Sequence, residues 1–222
     1  VRNMVCYNNL DVKLVGTHAG VETGQDGGTH MTVEDVAIMR ALPNMRVLAP
    51  STPLMTEKLT RLMAENYGPF YIRFGREPSP EWYAEEEFPL GGSKCLHKGT
   101  EITLMAYGRM VELAMEAAKR LEKMGIDARV VDMYSLKPVD EEAILAASRE
   151  TGAIVTCEDH SVLGGLGDIV SHVTSQSCPC LVRRVGIQDR FGRSGYWKDV
   201  FQWAGLTVDA IEKTALEAVK NK

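Results

Sequence analysis

Long apolar runs are missing from the 222 residues: no stretch approaches the roughly 20 that a membrane-spanning helix needs, and no signal-peptide pattern opens the chain. Runs of Lys or Arg are missing too, and a formal charge of -5 argues against a nucleic-acid partner. Cysteine is scarce: Cys6, Cys95, Cys157, Cys178 and Cys180 are odd in number and scattered, which excludes a disulfide framework. Cys178-Pro-Cys180 has no second pair at metal-ligand spacing, so buried reduced thiols are expected. There is no repeat at a solenoid period. Nor is there an initiator methionine; the chain opens on "VRNMVCYNN", which reads as the end of a helix and raises the expectation that part of a domain lies upstream. What remains is a cytoplasmic globular protein with neither membrane nor nucleic acid as partner. Its apolar content of 45% is ordinary, and the length suffices for one large domain or two small ones with their own cores.

Alternation is what the sequence does have. A buried strand is expected at 12–17, then a glycine-rich loop, then a helix with Thr32 as N-cap that stops at Pro43-Asn44. A strand at 45–49, a helix from Pro53 to about Glu65 and a strand at 70–74 follow. The stretch "GREPSPEWYAEEEFPLGG" then supports neither helix nor strand. Residues 77–92 are read as a linker between domains at 1–76 and 93–222. Beyond it, strands are expected at 102–107, 128–132, 153–157 and 180–185, with helices at 111–124, 140–151, 166–174, 197–203 and 208–220. Methionines 105, 110, 115 and 124 fall at core-like positions. The fold class is α/β: two domains, each a mostly parallel sheet flanked by helices.

In open α/β sheets ligands bind beyond the carboxyl ends of strands. The loop "THAGVETGQDGGTHMTVED" leaves such an end and carries two of the five histidines. Its glycines at 20, 24, 27 and 28 let backbone approach a ligand closely. His18 and His30 can donate to a hydroxyl or carry charge toward a phosphate, and Asp26 can accept from a sugar hydroxyl. The spacing of the histidines matches no common zinc pattern.

"THAGVETGQDGGTHMTVED", then "RALPNMRVLAPS", then "GPFYIRFGR", resembles the pyrimidine-binding domain of transketolases. The segment from "GTEITLMAYGR" to "SLKPVD", with "EDHSVLGGLG" and "DRFGRSG", is similar to the transketolase carboxyl-terminal domain. The resemblance covers essentially the whole chain, and is strongest to transketolases whose pyrimidine and carboxyl-terminal domains form a separate subunit. It implies a thiamine diphosphate and Mg2+ enzyme of carbohydrate metabolism, in the pentose phosphate pathway. Such an enzyme moves a two-carbon ketol unit from a ketose phosphate to an aldose phosphate, as a dimer with an amino-terminal diphosphate-binding subunit or domain. By position it implies that His30 stands near the donor's reacting carbonyl as a catalytic residue. Asp26 would read the donor's adjacent hydroxyls, and His18 and Arg76 would hold the sugar phosphate.

The departures are specific. The family's cofactor-activating glutamate belongs to a segment ahead of "RNMVCYNN" and is not among these residues. The aromatic groups that pack on the cofactor's pyrimidine have no counterpart either. Nor have the "GDG" motif and asparagine that hold magnesium and diphosphate; "GQDGG" is the sugar-reading loop. No cofactor-binding residue is therefore assigned, no metal ligand is expected, and the chain is expected to be inactive alone. Alternatives are a deoxyxylulose-phosphate synthase, a 2-oxoacid dehydrogenase β subunit and a noncatalytic assembly module. Glu158-Asp159-His160 imitates an acid/base cluster and is expected to be structural. "GGLG" at 164–167 lacks the Lys-Ser/Thr of a P-loop and is expected to serve helix packing. Tyr196, Trp197 and Trp203 are expected to pack a domain or subunit contact.

Overall fold

The computed structural model describes residues 1–222. A π-helical turn (Arg2–Cys6) precedes β1 (Lys13–Gly16), α1 (Asp35–Ala41), β2 (Arg46–Leu48), α2 (Pro53–Glu65) and β3 (Phe70–Arg73). The second half runs β4 (Lys94–His97), β5 (Ile102–Ala106), α3 (Met110–Lys123), β6 (Ala128–Asp132) and β7 (Ser135–Lys137). It continues with α4 (Glu141–Thr151), β8 (Ala153–Ser161), α5 (Leu166–Ser177), β9 (Leu181–Ile187), α6 (Trp197–Ala204) and α7 (Val208–Asn221). One sheet has the order β1-β3-β2-β7 and the other β4-β6-β5-β8-β9. All pairs are parallel except β2 with β7 and β4 with β6. These are the two mostly parallel, helix-flanked sheets expected.

Local chemistry sets the helix starts. Pro53 opens α2 where no intrahelical N–H is needed, and the Thr52 hydroxyl accepts the Met55 amide at 3.2 Å. Asp140 caps α4 by accepting the Ala143 amide at 3.0 Å, and Gly152, at φ 69°, ends it. The expected cap at Thr32 is corrected: α1 starts at Asp35 without a side-chain cap, because Thr32 is held opposite Gly20 in a two-residue bridge. The thiol expectation holds for Cys6 and Cys157, which are buried; Cys178 and Cys180 are half-buried and Cys95 is exposed. Met105 and Met110 are buried, but Met124 is exposed at the end of α3.

The two halves are not independent. β7 follows β6 closely in the chain yet crosses to pair with β2, Val47 opposite Lys137 and Leu48 opposite Ser135. Lys137 Nζ then donates to the carbonyls of Arg40 (2.8 Å) and Leu42 (2.6 Å), where a cation complements a helix carboxyl end. One apolar cluster runs through both halves, uniting Val36, Met45 and Val47 with Met105, Met133 and Ile169. The stretch between the halves is pinned by buried Tyr83 and Phe88, whose rings meet edge-on at 5.0 Å. The Tyr83 hydroxyl donates to buried Asp132 at 2.9 Å.

Candidate functional site

The carboxyl end of β1 delivers the His/Gly loop, and main-chain bonds pinch its base. Ala19 donates to the Phe74 carbonyl and Gly20 to that of Thr32, each at 2.9 Å. Within the loop, Gly24–Asp26 and Gly28–His30 form tight 3-10 turns. Apolar Val21, Met31 and Val33 turn inward and join the core of the second half. His18 takes a left-handed φ of 61°, a conformation that a non-glycine residue holds only when its surroundings over-determine it.

Thr23 organises the polar groups. Its hydroxyl lies within hydrogen-bonding reach of the carbonyls of His18 (3.2 Å) and His30 (3.3 Å). Its own carbonyl accepts from Arg76 Nη1 at 3.3 Å, and the same nitrogen lies 3.8 Å from Asp26 Oδ2. His18, Asp26, His30 and Arg76 are thereby gathered on one rim, the first and third through their main chain, the others through an exposed ion pair. Each imidazole is exposed and meets only the hydroxyl of the preceding threonine, Thr17 at 3.0 Å and Thr29 at 3.1 Å. Such a rim offers donors, an acceptor and a planar guanidinium to an oxygen-rich molecule.

The second half of the chain braces this rim from behind. Gly24 accepts from the Gly195 amide at 3.3 Å, so the "DRFGRSG" segment lies against the loop. Gly28 is required there, because a Cβ would overlap the Gly192 carbonyl. The Trp197 main chain lies against Gly24, so Trp197 packs a contact between the halves, its ring edge-on to Phe201 at 5.7 Å; Trp203 instead lies under the guanidiniums of Arg190 (4.1 Å) and Arg193 (4.9 Å).

Glu158-Asp159-His160 proves to be the extension of β8 into a buried polar network. Arg73 Nη2 donates to the Asp159 carbonyl at 3.0 Å, Nη1 lies 3.3 Å from Asp35, and Tyr71 donates to Asp35 at 2.6 Å. Glu158 accepts the amides of Leu166 (2.7 Å) and Gly167 (3.0 Å) at the start of α5. The "GGLG" cradle therefore holds the chain's own carboxylate, an anion at a helix amino terminus. Burial pushes Glu158 up to about 7 against the pull of those amides, and Asp159 up to about 7 against Arg73. Burial, with Arg73 nearby, holds His160 below its ordinary value. Neutral His160 then donates from Nδ1 to the Ser161 carbonyl (2.7 Å) and accepts the Ala37 amide on Nε2 (3.3 Å). Through these bonds the network ties the end of β8 to α1, β3 and the start of α5.

Sequence reasoning missed Glu22, Thr23 and Arg109. Buried Glu22 and the nearly buried side chain of Arg109 form an ion pair at 2.6 Å beside a cleft of about 450 Å³ at the carboxyl ends of β2 and β3. The cleft's one aromatic group is Phe74 and its one cation is Arg109. Glu22, Glu57 and Glu77 also face it, and no group of three or more His, Cys, Asp or Glu residues is arranged to hold a metal ion. Against a thiamine diphosphate the fit is poor: its diphosphate would meet three carboxylates and one guanidinium already paired with Glu22, and its ring a single aromatic side chain, Phe74.

Family models of the transketolase pyrimidine binding domain and the transketolase C-terminal domain match residues 1–80 and 91–211. The chain belongs to the transketolase family. That family depends on thiamine diphosphate. An apulose-4-phosphate transketolase subunit of Phocaeicola vulgatus is 41% identical over 218 residues, covering 97% of this chain and 70% of that protein. The 6-deoxy-6-sulfo-D-fructose transketolase subunit of a Clostridium species is 40% identical over 222 residues, covering 98% and 68%. A split-gene transketolase, solved as an inactive β4 tetramer, superposes with a TM-score of 0.93 at 42% identity, covering 99% of this chain and 70% of that one. No helix is long and apolar enough to cross a membrane.

Proposed function

We propose that this chain is the substrate-gripping section of a transketolase that moves a two-carbon ketol unit from a ketose phosphate to an aldose phosphate. The convergence of His18, Asp26, His30 and Arg76 around Thr23 carries the reading. In it, His30 donates a hydrogen bond to the donor's reacting carbonyl oxygen, where charge develops, and is the catalytic residue. Asp26 accepts from the neighbouring sugar hydroxyls. Arg76 and His18 hold the terminal phosphate, the guanidinium as a planar fork.

Thiamine diphosphate and Mg2+ are assigned to groups outside these residues, and a diphosphate-binding amino-terminal subunit is the proposed partner. The misfit of the cleft to the cofactor supports that division, as do the split-subunit names of the relatives. A homodimeric pairing of such complexes is part of the same reading. The relatives' names cover 6-deoxy-6-sulfo-D-fructose and apulose 4-phosphate, so the test uses several donors. The chain is mixed with a diphosphate-binding transketolase subunit, thiamine diphosphate and Mg2+, and ketol transfer is assayed. A version extended at its amino end by a transketolase pyrimidine-domain segment carrying the activating glutamate turns over pentose phosphates, and these 222 residues do not. Decarboxylation of pyruvate without ketol transfer would replace the reading with a deoxyxylulose-phosphate synthase or 2-oxoacid dehydrogenase type of chemistry. Turnover by the 222 residues would overturn the division of labour.

A further inference from the structure

Glu22 and Arg109 come from different halves of the chain and meet at the base of the rim. The Glu22 side chain is 0% exposed and that of Arg109 8%, with Arg109 Nε donating to Glu22 Oε1 at 2.6 Å. The other oxygen of Glu22 accepts the main-chain amides of Arg76 (2.5 Å) and Glu77 (3.1 Å). Arg109 Nη2 donates to the carbonyls of Glu77 and Pro78, both at 2.8 Å, and Nη1 donates to Glu112 at 2.8 Å. The segment that carries Arg76 is thus held by its N–H groups on one side and its carbonyls on the other. Gly75 lets it approach, since a Cβ there would overlap the Glu22 carboxylate.

A buried ion pair is a poor source of stability, because the desolvation of two charges consumes most of their attraction. What this pair provides is placement. Charge-assisted bonds to main chain are short and directional, and moving Arg76 by even an ångström would break several together. The guanidinium of Arg109 also lies 5.7 Å from the Trp197 ring, linking this hold to the second half. Trp197 and Tyr196 wall a smaller cleft, about 130 Å³, whose other side is formed by Thr23, Gln25 and Arg76.

We propose that Glu22 and Arg109 are positioning residues that fix Arg76 for the anionic end of the substrate, which makes the second half of the chain a partner in substrate selection. The proposal rests on the reading of Arg76 given above. In the assembled enzyme, Glu22→Gln replaces one acceptor oxygen by a donor amide facing Arg109. KM for a phosphorylated sugar then rises by about ten-fold while kcat changes less than about two-fold. Arg76→Ala gives a rise of similar size, and the Glu22→Gln/Arg76→Ala double variant is no worse than Arg76→Ala alone. Arg109→Lys, which keeps the charge but loses the fork, repeats the test should Glu22→Gln fail to fold, with the same non-additivity expected. Multiplying effects in the double variants, with Arg76→Ala itself active on KM, would overturn the positioning role and leave the reading of Arg76 intact. An Arg76→Ala variant with unchanged KM would overturn both.

Discussion

Val21 donates its amide toward both carboxylate oxygens of Asp159, at 3.2 and 3.3 Å, across 138 residues of chain. This one contact ties the inner turn of the His/Gly loop to the end of β8. Together with the pinched base and the Gly195–Gly24 bond, it holds a glycine-rich loop in a defined shape. The loop is ordered from its buried side, and His18 and His30 stay exposed on its outward side.

Asp159→Ala leaves the buried Val21 N–H without an acceptor, which costs about 2 kcal/mol. For a chain of this size that corresponds to a fall in Tm of roughly 6 °C. The loss is local, so hydrogen exchange should accelerate across 19–32 before it does in α2. Thermal melts and amide exchange by mass spectrometry check both parts; uniform acceleration would contradict the anchoring role.

Gly20 and Gly125 both have positive φ, at 70° and 83°. A Cβ on Gly20 would overlap the Asp159 carboxylate, whereas one on Gly125 meets nothing within 4 Å. Gly125→Ala therefore costs only the backbone strain, about 1 kcal/mol, and Gly20→Ala costs several times that. Equal denaturant midpoints for the two variants would refute the packing argument.

Burial pushes the Asp132 carboxyl up to about 7, against the hydroxyls of Ser51 and Tyr83. An unfolded Asp titrates near 4 (about 3.9). Between those values the unfolded chain has released a proton that the native state keeps. Stability from this group accordingly falls as pH rises from about 4 to about 7, then levels off. Asp132→Asn removes that titration, so the variant gains on the parent protein across the window by on the order of 4 kcal/mol. Urea midpoints measured at several pH values test it, and a difference that stays constant with pH would count against it.

The elements most legible in sequence are those that carry their own signals. α2 is announced by Thr52-Pro53, and α4 by Asp140 and Gly152; both form where local chemistry points. β7 is not legible, because Ser135-Leu136-Lys137 is too short to show a period and is a strand only by virtue of Val47 and Leu48. β8 runs on past the expected end at Cys157, since Glu158 and Asp159 look like loop residues until their distant partners are known. The site divides in the same way. His18, Asp26 and His30 stand out by residue type in a glycine loop, and Arg76 by resemblance. Thr23 and Glu22 do not, for each acts on main-chain groups, and Arg109 reaches Glu22 from 87 residues away. Nothing in "GVETG" distinguishes a buried carboxylate from a solvated one.

The central claim is that one rim of imidazoles, a carboxylate and a guanidinium grips the sugar. Steady-state kinetics of His30→Ala and Arg76→Ala in the assembled enzyme, with matched phosphorylated and free sugars, test it most directly. The account predicts that His30→Ala lowers kcat by roughly 100-fold with both kinds of sugar. Arg76→Ala raises KM about ten-fold for phosphorylated sugars and leaves KM for free sugars unchanged. Equal effects of Arg76→Ala on both sugars, together with an unchanged kcat for His30→Ala, would contradict it.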